Sequence, residues 1–262
     1  VKRRPYLLFS SVGDNYDFAV EQWTQNHRLG RERDYDIALV YYGHCPVRFA
    51  ALAARADRLF WSPGSKFQNL VRHLDAVAAL DYRYLWVVDD DIALDPARIN
   101  RLFRISEEHA LAAAQPSLSP TGDYSYPALL HQGRNSLLRH VNFVEVGCPV
   151  LSAQSLRQLL PVIEPHIDLL TCWGIDILLS QQVCRPESPF AVIDAITVRN
   201  PFAHEKRSGQ RECERASGAP SMRDRWLLVR ERIGAHAPPV EIVIEEYGQV
   251  RRSGVFRWMS GR

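Results

Sequence analysis

The sequence predicts an α/β fold, a mostly parallel sheet flanked by helices, and three observations carry it. Strand-like apolar runs alternate with helix-like segments through the first two thirds of the 262 residues, the pattern of β-α-β units with helices on both sheet faces. Apolar side chains at Phe67, Leu70, Val71, Leu74, Val77 and Ala78 are spaced by threes and fours, as on an amphipathic helix. The apolar run from Tyr84 to Val88 then ends abruptly in three aspartates, as a buried strand does at the polar edge of a sheet.

The elements follow in order. A strand from Arg4 to Ser10 runs into the polar loop Ser10-Ser11-Val12-Gly13-Asp14, and a helix follows from Asp17 to His27. Asp36 to Tyr42 is a second strand, Val47 to Ala56 a helix, and Arg58 to Trp61 a short third strand. The helix from Ser65 to Leu80 leads into the strand Tyr84 to Val88. Asp95 fits an N-cap and Pro96 the first helical position of a helix reaching about Ala113. Ala114 to Leu118 is a strand, Ser119 to Arg139 a loop with a short hairpin, and Val141 to Leu151 a strand carrying Glu145. A helix from Ala153 to Leu160, a loop, a helix starting near Trp173 and a strand from Phe190 to Val198 complete the main domain, 1–205. The appendage, 206–262, begins with a charged stretch to Arg225 that holds Ser208-Gly209 and Ser217-Gly218 and has no apolar period, read as a mobile loop. It ends in a helix from Met222 to Ile233 and a hairpin formed by Val240 to Glu246 and Val250 to Trp258.

Composition excludes several classes. At 46% hydrophobic and 24% charged residues the chain is a packed globular protein and not a disordered one. No stretch approaches the roughly 18 apolar residues of a membrane span. Tyr6 to Phe9 is too short for a signal-peptide core, although the N-terminal Val1 leaves a trimmed leader open. A net charge of +2, from 32 basic and 30 acidic residues, argues against a nucleic acid partner. Lys2, Lys66 and Lys206 are the only lysines in an arginine-rich chain, which makes Lys66, in a candidate site loop, informative. The five cysteines are odd in number, lack C-x-x-C spacing and sit mostly in apolar surroundings, the pattern of a reduced, cytoplasmic protein.

The chemistry concentrates at Asp89-Asp90-Asp91. Ligands of open α/β sheets gather at the carboxyl ends of strands. Three adjacent carboxylates there repel one another unless a cation neutralises them, and an oxygen-rich acidic site suits Mg²⁺ or Mn²⁺. Side chains alternate along extended backbone, so Asp89 and Asp91 face one side. The bland alternative is a solvated acidic loop before the helix that Asp95 caps.

An apolar strand ending in Asp-x-Asp resembles the metal and sugar-nucleotide motif of GT-A glycosyltransferases. The segment Pro63-Gly64-Ser65-Lys66-Phe67-Gln68-Asn69-Leu70 is similar to their Gly-then-Asn helix before the motif strand. More closely, Tyr84-Leu85-Trp86-Val87-Val88-Asp89-Asp90-Asp91-Ile92, Ala114-Gln115-Pro116-Ser117-Leu118-Ser119-Pro120, Val144-Glu145-Val146 and Trp173-Gly174-Ile175-Asp176 resemble a plant and bacterial family known as domain of unknown function 707. That family is thought to be glycosyltransferase-like, and the resemblance covers roughly residues 5–200.

The resemblance implies a GT-A-like, Rossmann-like catalytic domain. It would move a sugar from a nucleoside-diphosphate sugar, a UDP-sugar favoured, to a hydroxyl of a glycan or small-molecule acceptor, with inversion and with Mn²⁺ or Mg²⁺. The implied setting is cytoplasmic, or peripheral at the inner membrane, in surface glycan synthesis. Asp91 would bind the ion directly, and Asp89 would bind it through water or contact the ribose. Asp90 joins the donor-binding set. Ser11, Gly13 and Asp14 would meet base and ribose at the first strand's mouth. Gly64 would admit close backbone approach, Lys66 would pair with phosphate as a point charge, and Asn69 is the motif asparagine. A histidine often completes the metal site near Val198-Arg199-Asn200-Pro201, where this chain has Asn200, so His204 is the candidate. Asp176 would be the general base. Trp173 offers an aromatic face beside Gly174, and Glu145 would contact the sugar or acceptor. Asp14 and Asp176 read equally as capping residues, Trp173 as core and Glu145 as one half of a structural salt bridge. The other functional class is a non-catalytic sugar-nucleotide or carbohydrate-binding module on the same fold. The coexistence of the acidic run and Asp176 favours catalysis.

Overall fold

The structure, a computed structural model, describes residues 3–24, 33–132, 136–202, 204–205, 222–233 and 249–251. β1 (Tyr6–Val12), α1 (Asp17–Thr24), β2 (Tyr35–Tyr41), α2 (Pro46–Leu52) and β3 (Arg58–Trp61) follow the alternation read from the sequence. Then come α3 (Lys66–Arg72), α4 (Leu74–Val77), β4 (Tyr84–Val87), α5 (Pro96–Glu108), β5 (Ala113–Leu118), β6 (Ser136–Val141) and β7 (Val150–Ser152). α6 (Ala153–Ile163), α7 (Ile175–Val183), β8 (Phe190–Val198), α8 (Met222–Arg232) and β9 (Gln249–Arg251) complete the described elements.

The strands form one sheet in the order β3-β2-β1-β4-β7-β5-β8-β6-β9. β3, β2, β1 and β4 pair in parallel, and β5 pairs in parallel with β8. β7 pairs antiparallel with both β4 and β5, and β6 with both β8 and β9, so only β6 and β7 run against the common direction. Every residue of β1 and of β4 is buried, as strands covered by helices on both faces must be. The carboxyl ends of β1, β2 and β4 therefore open side by side on one edge. Asp95 caps α5 as expected, accepting the Arg98 N–H at 3.0 Å.

Three expectations need correction. The helix expected from Ser65 to Leu80 is broken: α3 stops at Arg72, α4 is a single turn, and a 3-10 turn from Ala79 to Asp81 follows. His73 leaves helical geometry and stacks on Phe60 with ring centroids 4.4 Å apart, and Ala78 adopts φ +51°. The strand expected from Val141 to Leu151 is two strands, β6 ending at Val141 and the reversed β7 starting at Val150. Residues 142–149 between them are a loop, and Glu145 lies on it. Its backbone is held from outside the sheet ladder, for Glu145 N–H donates to Gln115 Oε1. Finally, the segment 119–135 carries a 3-10 turn from Pro127 to Leu129, and β6 already begins at Ser136.

A buried ion pair anchors that segment. Arg139 Nε donates to Asp194 Oδ2 at 2.8 Å, and the same guanidinium donates to the carbonyls of Ala128 and Leu130 at 2.7 and 2.8 Å. Beyond β8, α8 docks on the domain through Trp226 and Val229, 8% and 0% exposed. β9 extends the main sheet along β6. The loop expected to reach Arg225 is already helical over 222–225, the start of α8; its part 206–221 and the hairpin portions 240–246 and 252–258 lie outside the described residues, as does Cys213. Cys45, Cys148, Cys172 and Cys184 are free thiols. Among the described residues no helix is long and apolar enough to cross a membrane.

Candidate active site at the mouth of β4

The acidic turn is strung between β1 and the loop 142–149. Val88 N–H donates to Phe9 O, and Asp89 N–H to Gly147 O, each at 3.0 Å. The chain turns at Asp90 and Asp91, with Ile92 N–H donating to Asp89 O at 3.2 Å, and the neighbouring carboxylates part. Asp89 turns toward α3, where Lys66 Nζ stands 2.8 Å from its Oδ1. Asp90 turns toward β1 and β2, accepting Gly13 N–H at 2.8 Å and the Tyr42 hydroxyl at 3.3 Å. Burial, reinforced by the neighbouring charges of Asp91 and Asp89, pushes the Asp90 carboxyl up to about 7 despite those two bonds. Both carboxylate oxygens of Asp91 are buried.

Lys66, expected to pair with a phosphate, has protein partners in this structure. Its side chain is 3% exposed and pairs with Asp89, and its ammonium also donates to Gly147 O at 2.8 Å. Burial works against the charge, but Asp89 together with Cys172 and Cys148 outweighs it and holds the ammonium above its ordinary range. Asn69 is structural too: its amide donates to Ser11 Oγ at 2.9 Å and to Gly64 O at 3.0 Å, tying the β1 mouth to the loop before α3. Gly64 has φ +129°, a conformation that side chains disfavour, and its missing Cβ leaves Asn69 and Arg72 close against the backbone.

The first-strand loop has a similar economy of space. A Cβ on Gly13 would lie 2.5 Å from the Tyr42 hydroxyl, so glycine is what lets Tyr42 reach Asp90. Asp14 accepts a short hydrogen bond from the Tyr41 hydroxyl, which also accepts Cys45 N–H at 2.8 Å. Trp61, at the end of β3, is 46% exposed and packs on Phe49 at 4.9 Å and Tyr41 at 5.4 Å. These rings make an aromatic wall on the same side.

Across the mouth stands the second carboxylate group. Gly174, at φ +87°, is the N-cap of α7, and Asp176 lies in the first turn. Its carboxylate accepts the N–H groups of Ile177 and Val146. Burial raises it to about 6, with the charge of Glu145 adding to the effect. Glu145 accepts from Ser125, and burial raises its carboxyl as well. Trp173, 49% exposed, presents its indole to solvent beside Gly174.

The structure thus brings Ser11, Gly13, Asp90 and Asp89 together with Lys66 and Asn69, and sets Asp176 and Glu145 around the same loop. Sequence reasoning missed Tyr41, Tyr42 and the Gly147 carbonyl. The two tyrosines end a strand recognised from sequence, and the strand next to β1 must present its carboxyl end to the same mouth. That signal was available. No local signal marks the Gly147 carbonyl.

The expected metal finds no three-ligand cage: among the described residues no three His, Cys, Asp or Glu side chains converge on one point. His204 stacks on Phe202 with centroids 5.7 Å apart. The donor chemistry nevertheless fits a hard ion. Magnesium is commonly held by one or two carboxylates together with substrate phosphates, and Asp89 and Asp91 offer those oxygens from one turn.

The fold and site define an α/β protein with an acidic turn at the mouth of its sheet. No family model matches the chain, and no curated protein matches it. Among solved structures it is similar to S. aureus TarS 1–349 in complex with UDP-GlcNAc, at 9% identity and a TM-score of 0.48, over 87% of this chain and 65% of that one. It is also similar to S. aureus TarS 1–349 in complex with UDP, at 6% identity and a TM-score of 0.44, over 76% of this chain and 60% of that one. The chain spans less than two thirds of the length of either.

Proposed function

We propose that the protein is a glycosyltransferase that moves a sugar from a nucleoside-diphosphate sugar, a UDP-sugar first, to an acceptor hydroxyl with inversion. This is the activity implied by the resemblance to GT-A enzymes and to domain of unknown function 707. One observation carries it. Adjacent residues of one loop hold both halves of the site: Val146 N–H binds the Asp176 carboxylate, and Gly147 O accepts the Asp89 N–H. The Asp176 carboxylate and the acidic turn are both tied to neighbouring residues of the loop 142–149, which supports reading them as one site.

In this reading Ser11, Gly13 and Asp14 receive base and ribose, with the aromatic wall of Trp61 beside them. Asp91 and Asp89 hold Mn²⁺ or Mg²⁺, which when bound neutralises the charge growing on the diphosphate. Lys66 keeps Asp89 oriented. Trp173 and Glu145 place the acceptor. The acceptor oxygen attacks the anomeric carbon while Asp176 takes its proton. The bond from that carbon to the diphosphate oxygen breaks, and the electron pair leaves with the nucleoside diphosphate. A carboxyl near 6 is ionised at neutral pH yet basic enough to accept a proton in the transition state.

The test is release of UDP from a panel of UDP-sugars with manganese and pooled hydroxyl acceptors. Release that disappears in Asp176→Asn, while UDP still binds by calorimetry, supports the transferase. UDP binding with no release from any donor gives the non-catalytic binding module instead.

A further inference from the structure

The helix assigned to the appendage lies on the acceptor side of the site. A Cβ on Gly174 would stand 2.1 Å from Trp226 Cε3 and 2.4 Å from Cδ2, so the indole covers the glycine at van der Waals range. No side chain larger than hydrogen fits between them. Gly174 is also the residue at φ +87° from which α7 departs, and two residues earlier Cys172 holds φ +153°, an unfavourable value for a residue with a side chain. Strained backbone persists where its surroundings over-determine it. Here the surroundings include a flat ring, 8% exposed, pressed against the turn. Arg225, 7% exposed, and Val229, fully buried, seat the same helix.

We propose that Trp226 is a positioning residue for the Gly174–Asp176 turn, so that α8 belongs to the catalytic unit. The proposal deepens the transferase reading and rests on it for the role of Asp176. With the indole in place, the turn has one conformation, and Asp176 keeps its bonds to Ile177 and Val146. Without it, Cys172 and Gly174 relax, water enters, and the carboxylate moves off the line of attack.

The other ionisable groups acting on this turn are Glu145 from the loop 142–149, Tyr126 from the segment before β6, Cys172 within the turn and, through Cys172, Lys66 of α3 and Asp89. Asp224 and Arg225 flank Trp226 on α8. Glu145→Gln is therefore the control that separates their field from the effect of the ring.

The experiment compares parent, Trp226→Ala, Trp226→Phe and Trp226→Leu as full chains. Carboxyl-labelled aspartate is followed by NMR, with Asp176→Asn giving the assignment, and UDP release and UDP affinity are measured alongside. In Trp226→Ala the Asp176 midpoint falls from near 6 toward the ordinary carboxylate range. kcat falls on the order of 10²-fold, as for a reacting group displaced by about 1 Å, while KM for the donor holds. Trp226→Phe restores both, because a flat ring still covers the glycine. Trp226→Leu keeps the core filled without a flat ring and carries the same test if Trp226→Ala does not fold. An unmoved midpoint and kcat in a folded Ala or Leu variant overturn the proposal. A midpoint that moves in a protein inactive on every sugar nucleotide upholds the positioning by Trp226 and overturns the transferase reading.

Discussion

Lys66 Nζ and Asp89 Oδ1 lie 2.8 Å apart, and the two ends of this pair are unequal: the lysine side chain is 3% exposed, the aspartate 41%. Removing one partner is therefore not equivalent to removing the other. Asp89→Asn leaves a buried ammonium without a counter-charge, a defect of about 3–5 kcal/mol. Lys66→Met leaves a carboxylate that water already reaches, a smaller loss of about 1 kcal/mol. The double variant Lys66→Met/Asp89→Asn is more stable than Asp89→Asn alone. Urea unfolding of the four proteins checks the ordering. Equal losses in the two single variants would show that the pair is no more than a surface contact.

Under the proposed transferase reading, Asp176 sets an acid limb. Its carboxyl sits at about 6 in the free protein, and only the ionised form accepts the acceptor proton. kcat/KM for transfer therefore rises tenfold per pH unit below about 6 and levels above it. Asp176→Asn lowers transfer by about 10²–10⁴-fold and leaves UDP affinity within the error of calorimetry. A limb that stays in place in the Asn variant would assign it to another group.

Asp90 makes the fold sensitive to base. Its folded value of about 7 lies above the 3.8 of an ordinary aspartate. The folded state thus holds a proton that the unfolded chain releases. The contribution is fully present below the unfolded value and is lost as pH rises through the folded one. Stability attributable to Asp90 declines across pH 4 to 7. Asp90→Asn keeps an oxygen for Gly13 N–H and Tyr42 and has no charge to bury, so it is the more stable protein at pH 8, by a few kcal/mol at most. Melting temperatures of parent and variant against pH should converge under acid conditions, separate between about pH 4 and 7, and stay a constant distance apart above that.

Much of this was legible and some was not, for physical reasons. The strands up to β4 and the cap at Asp95 are written locally, in apolar runs that end in polar residues and in one aspartate–proline pair. The break after α3 was not, because His73 leaves the helix to stack on Phe60, a partner thirteen residues back in sequence. β7 escaped notice for a similar reason. It has three residues and is defined by the two neighbours it runs against, β4 and β5, rather than by any period of its own. Asp89 and Asp176 were found by type and context. The destination of Lys66 was not, since a lysine beside a phosphate and one beside a carboxylate look alike in sequence.

Arg139 is the fourth test. Its guanidinium is buried with Asp194 and carries the carbonyls of Ala128 and Leu130. Arg139→Met strands the aspartate and releases the segment that bears Ser125, the partner of Glu145. The expected loss is about 3–5 kcal/mol. Adding Asp194→Leu recovers part of the stability but not the ordering of the segment. Urea unfolding reads the first, and chymotrypsin cleavage at Tyr124 or Tyr126 reads the second.

The Gly147 carbonyl takes two donors, the Asp89 amide and the Lys66 ammonium. A carbonyl oxygen has two lone pairs, so this one is saturated. A flip of the peptide joining Gly147 to Cys148 would break both bonds at once and pull on the next rung, where Val87 N–H meets Pro149 O. The acidic turn consequently cannot fray on its own as surface loops do. The Asp89 amide proton, held by this carbonyl, exchanges with solvent only when the central ladder opens, so the start of the acidic turn inherits the slow clock of the core.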